Sequence, residues 1–133
     1  MPYAIGAGLA LAVGLFATWI GLDRDRAFYP VVTIIVGSYY VLFAVMGGSA
    51  SALDIESAVS LIFVLAAVLG FKRNMWVVVG ALCGHGVLDS VHAQLIANPG
   101  VPVWWPAFCL AYDVTAGGYL ALRLRTAGRV PIT

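Results

Sequence analysis

The sequence predicts an all-α integral membrane protein, a compact bundle of five transmembrane helices in one domain, and three observations predict it. Of its 133 residues, 62% are hydrophobic and only 10% charged, where a soluble domain carries about 25% charged residues. The apolar residues fall into five runs too long and too unpatterned for barrel strands, and in lipid the backbone must satisfy its own hydrogen bonds, which leaves helices. Between the runs lie short breaks rich in charge, proline or glycine, with no repeats and no low-complexity tract.

The first span, residues 3–21, approaches the about 20 residues that a bilayer core requires. On it Gly6, Ala10, Gly14 and Thr18 recur at spacing four. Such a stripe either lets a second helix backbone come close or reflects the ordinary glycine and alanine usage of a membrane helix. Trp19 marks an interface. Met1-Pro2-Tyr3 offers no basic start and no small-residue cleavage site follows, so no cleaved signal peptide is expected. Asp23-Arg24-Asp25-Arg26 then reads as a solvated connector at headgroup level, or as one whose arginines grip lipid phosphate.

The second span, residues 30–47, starts with Pro30 in its first turn, where the missing donor costs least. Tyr39 and Tyr40 lie near its middle, and a phenol at that depth wants a partner, so at least one should point inward. Residues 47–53 form a small, polar connector. The third span, residues 55–71, has Asp54 and Glu56 at its entrance and Lys72 and Arg73 at its exit, which suits the helix dipole. Glu56 is one turn deeper at most and can reach a site from the side. The fourth span, residues 75–96, carries Gly80 and Gly84 in a GxxxG arrangement. Asn98-Pro99-Gly100 breaks the chain, and the fifth span, residues 103–122, opens with Trp104 and Trp105 at the interface.

Five spans place Arg24, Arg26, Lys72, Arg73, Arg123, Arg125 and Arg129 all on one side of the membrane. By the positive-inside rule that side is cytoplasmic and the N-terminus lies outside; that the membrane is a bacterial inner (plasma) membrane is an expectation that the charges do not themselves give. A four- or six-span arrangement would split the set. The net charge of +1 and the absence of a basic stripe give no nucleic-acid surface. Expected partners are membrane lipids, further copies of the chain in a homo-oligomer and a small or lipid-like ligand.

Both histidines and two of the six acids fall within residues 84–113. His85, Asp89 and His92 stand at i, i+4 and i+7, on one helix face, and Asp113 comes from the next span. An ionisable group at membrane depth costs about 2.5–3.5 kcal/mol on insertion scales, so several together are a functional site by default. By helical rise His85 and Asp113 both lie about 15 Å deep, with Asp89 and His92 successively nearer the outside. Cys109 shares the face of Asp113. It and Cys83 differ in depth by about 8 Å, which makes both free thiols.

His85, Asp89, His92 and Asp113 are therefore the expected site residues, as metal ligands or catalytic groups, with Cys109, Tyr39, Tyr40 and Glu56 around them. Imidazole and carboxylate suit Zn, Fe or Mn. His85 and His92 stand about 10.5 Å apart along the axis, so Asp113 with one single-turn pair holds an ion more readily than all four together. The same column would also serve as a proton or solute path in an oligomeric small transporter, or pair internally and lock the helices. Few polar groups below the midplane beyond Thr115 favour a site open on one side.

The run His85, Asp89, His92, Asn98-Pro99, Pro102, Pro106, Cys109 and Asp113 resembles the C-terminal signature of a family of small bacterial membrane proteins of unknown function. The resemblance covers residues 84–120 and departs from the pattern at Leu88 and Ala93, where Trp and His are more usual. It implies shared site residues and supplies no activity. No nucleophile elbow, phosphate loop or eight-histidine di-iron set is present.

Overall fold

Five helices follow one another in the computed structural model, which describes residues 1–128: α1 (Pro2–Ile20), α2 (Phe28–Met46), α3 (Ala50–Lys72), α4 (Trp76–Leu95) and α5 (Trp105–Ala127). Among the described residues, four helices, α1 to α4, are long and apolar enough to cross a membrane. α5 is not one of them, because Asp113, Thr115, Arg123 and Arg125 dilute its apolar residues.

Local chemistry sets the ends. Pro2 sits in the first turn of α1, and Gly21, at φ +85°, closes it in the left-handed conformation that glycine adopts without strain. The amides of Gly21 and Leu22 both bond the carbonyl of Ala17. α3 begins at Ala50 rather than at residue 55, because Ser49 caps it by accepting from the Ala52 amide at 3.2 Å. Asp54 is thereby carried past the first turn onto an exposed face, and Glu56 is carried deeper, to 1% exposure. The dipole argument for these two acids is thus replaced by ordinary solvation for one and burial for the other. α5 likewise continues past residue 122 and holds Arg123 and Arg125 on helix.

α5 lies between α1 and α4, α3 packs along α2 and α4, and α2 meets α4 and, more sparsely, α5. The small residues of α1 face α5: a Cβ on Gly6 would overlap the Phe108 carbonyl oxygen, and one on Gly14 would press on the Tyr119 ring. On α4 it is Gly86 that lets α5 approach, its missing Cβ lying against Leu110 and Val114, whereas Gly80 and Gly84 face outward with nothing against them. One end of the bundle collects the basic residues. There Arg26 bonds the Gly70 carbonyl at 3.1 Å, Arg123 bonds Asp23 at 3.2 Å and Arg125 stands 5.8 Å over the Trp76 ring. Arg129, part of the charge argument above, lies outside the described residues.

Candidate metal centre

The polar side chains gather where α2, α4 and α5 meet. Spacing of four on α4 and four on α5 turns His85, Asp89, Cys109 and Asp113 inward, and each is at most 2% exposed. One donor atom from each lies within 4.8 Å of all the others. His85 Nδ1–H donates to Asp113 Oδ2 at 2.6 Å and lies 3.4 Å from Asp89 Oδ2. The Cys109 thiol points at the same Asp113 oxygen, 3.6 Å away. Phe63 of α3 holds the imidazole edge to face at 4.8 Å.

Each carboxylate spends one oxygen and keeps the other bare. Asp89 Oδ1 accepts from Tyr40 Oη–H at 2.6 Å, and Asp113 Oδ2 takes the histidine. Asp89 Oδ2 and Asp113 Oδ1 are buried without a hydrogen-bond partner among the described residues. A buried carboxylate oxygen left unpaired costs about 1–3 kcal/mol or more, since the group is charged. Two of them beside an imidazole and a thiol form a buried cluster of donor atoms that could hold a cation.

His92 is not part of this group. Its Nε2–H donates to Glu56 Oε1 at 2.7 Å, and Asn98 Nδ2 donates to the same oxygen at 2.9 Å and to the Tyr40 carbonyl at 3.0 Å. The expected column is therefore split in two, because three residues beyond Asp89 the side chain stands about 60° around the α4 axis from it, turned toward Glu56 of α3. This second group borders a groove of about 650 Å³ formed by the end of α4 and the 96–103 loop. Tyr39, expected near the ligands, packs on Trp105 at 4.8 Å and, together with Cys109, lines an apolar groove of about 290 Å³ between α2 and α5.

Two roles escaped the sequence. Cys109 offers a ligand atom within the cluster, a role that spacing alone assigned to His92. Asn98, read as a turn former, also pins Glu56; its place before Pro99-Gly100 gave only the turn signal. No protein-family model, curated protein or solved structure matches the chain.

Proposed function

We propose that the chain is a multi-pass membrane protein that holds a divalent transition metal on His85, Asp89, Cys109 and Asp113, the centre serving metal-dependent chemistry within the membrane. The observation that carries this reading is the pair of bare, buried oxygens, Asp89 Oδ2 and Asp113 Oδ1, beside His85 Nδ1 and Cys109 Sγ. One nitrogen, one sulfur and two carboxylate oxygens are a donor set suited to tetrahedral Zn, with Fe next and Mn least suited once a thiolate takes part. Such an ion would be held by His85 Nδ1, Cys109 Sγ and the free oxygens of Asp89 and Asp113, and would act there as a Lewis acid. The Tyr40 hydroxyl on Asp89 supplies the outer hydrogen bond that orients a ligating carboxylate.

The basic end of the bundle supports a cytoplasmic C-terminus and an external N-terminus in the bacterial inner membrane. Metal analysis of detergent-purified protein tests the centre: about one equivalent of zinc or iron is expected, with Asp113→Asn and Cys109→Ser each losing most of it. Protein that carries no metal and takes up none when zinc is added would overturn it. The short Tyr40–Asp89 and His85–Asp113 contacts, both 2.6 Å, would then support the second reading, a proton relay in an oligomeric small transporter.

A further inference from the structure

A crevice of about 440 Å³ opens at the basic end, remote from the His85 cluster, between the α1–α2 loop and the last turns of α5. Its polar wall is built from Asp23 and Tyr29. The Asp23 side chain is 2% exposed, and both donors that reach it, Thr18 Oγ1–H at 2.6 Å and Arg123 Nε–H at 3.2 Å, go to Oδ2. The Thr18 hydroxyl is itself fixed by Tyr119 Oη–H at 2.9 Å. Among the described residues Asp23 Oδ1 is left buried without a partner, and so is the hydroxyl of Tyr29, a residue 5% exposed.

Around these two oxygens stand cations with donors to spare. Arg123 commits only Nε to Asp23, and the Arg24 guanidinium makes no hydrogen bond among the described residues, the backbone amide of Arg24 alone bonding the Gly21 carbonyl at 3.3 Å. Arg26 holds the Gly70 carbonyl, and Asp25, the other acid on the rim, caps the Ala27 amide at 2.8 Å. A simple anion attracted by the arginines would meet a bare buried carboxylate, and a simple cation drawn to Asp23 would meet three guanidiniums. A molecule that carries both charges meets neither repulsion.

We propose that this crevice binds a zwitterionic headgroup, a primary ammonium joined to a phosphate, as in an ethanolamine phospholipid. The ammonium donates to Asp23 Oδ1 and Tyr29 Oη, and the phosphate takes the free amino groups of Arg24 and Arg123. Arg24 is exposed and folds back over Gly21, so it can swing aside to admit the group. Leu120 and Leu124 continue the wall with apolar surface, and Trp19 and Trp76 stand at the same end, at the level where headgroups lie. The inference rests on the membrane-spanning reading of the bundle and is independent of the metal.

Native mass spectrometry of the full chain with added phosphatidylethanolamine, phosphatidylcholine or phosphatidylglycerol tests it. The quaternary ammonium of choline has no N–H to give, and glycerol has no positive charge. Ethanolamine lipid should be retained about tenfold over both, and Asp23→Asn should cut that preference to about twofold or less. Tyr29→Phe, which keeps the ring, should lower it about threefold and covers the case in which Asp23→Asn does not fold. Arg24→Gln should weaken retention of all three phospholipids without disturbing the bundle. Free phosphoethanolamine that displaces the lipid would make a soluble zwitterion the ligand; failure to displace it would assign the lipid itself. Equal retention of ethanolamine and choline lipids, or a preference that survives both Asp23→Asn and Tyr29→Phe, overturns the site. Failure of the membrane reading would look different, as a chain that stays soluble without detergent.

Discussion

The rings of Tyr40 and His92 stack face to face, with centroids 3.9 Å apart and planes 14° from parallel. Through this stack one tyrosine touches both polar groups of the bundle, since its hydroxyl donates to Asp89 while its ring covers the imidazole that holds Glu56. The two groups are thus coupled through packing, with no hydrogen bond running from His92 to the His85 cluster among the described residues.

Tyr40→Phe separates the two contributions. The ring and its stack remain, and Asp89 loses its one hydrogen bond, so unfolding in detergent should become easier by about 1–3 kcal/mol. Tyr40→Ala removes the stack as well and should cost about 3–5 kcal/mol. Thermal unfolding of the two variants, followed by circular dichroism, measures the difference. Equal losses would mean that the hydroxyl alone matters and that the stack contributes nothing.

Metal binding should release protons. In the metal-free arrangement His85 Nδ1–H and the Cys109 thiol both point at Asp113; the thiol proton must leave before sulfur can ligate, and the Nδ1 proton must leave a charged imidazole or pass to Nε2 in a neutral one. Acid restores those protons, so affinity falls as pH falls and rises as pH rises. Calorimetric titration with zinc in buffers of different ionisation enthalpy should report about one to two protons released per ion. A pH-independent affinity would exclude the Cys109 thiolate as a ligand.

His92→Ala tests the division of the column. It strands Glu56 in a buried position with only Asn98 for a partner, and should cost about 3–5 kcal/mol of stability while leaving metal content unchanged. Loss of metal equal to that of Asp113→Asn, in protein that is still folded, would return His92 to the ligand set.

Much of this arrangement was legible in the sequence, and what was not has physical causes. Long runs of apolar residues identify α1 to α4, and the fifth helix follows from the sequence less directly because Asp113, Arg123 and Arg125 dilute its apolar residues. The approach of Asp113 to His85 follows from two inward faces at matching depth on neighbouring helices. Spacing along α4 could not say that α3 would begin at Ala50 and bring Glu56 to His92, because a Ser-Ala-Ser-Ala stretch serves equally as connector or as capped helix. Nor could it choose Tyr40 over Tyr39, since adjacent residues differ by about 100° around the axis and only the position of α4 selects between them.

Glycine positions distinguish internal packing from association between copies. The α1 stripe, which the sequence left open between close helix approach and ordinary small-residue usage, is buried at Gly6, Ala10 and Gly14 on the helix that packs on α5. Gly80 and Gly84 of α4 are exposed with open space where a Cβ would stand, a face that would let a second copy come to backbone distance. If the protein is a homo-oligomer through that face, Gly84→Leu should abolish crosslinked dimer in native membranes while leaving the unfolding temperature within a few degrees of the parent. Gly6→Leu should do the reverse, driving a side chain into the Phe108 backbone and costing several kcal/mol as α1 is forced off α5. Crosslinking that gives monomer alone in the unaltered protein, or dimer that survives Gly84→Leu, would remove the α4 face as an interface.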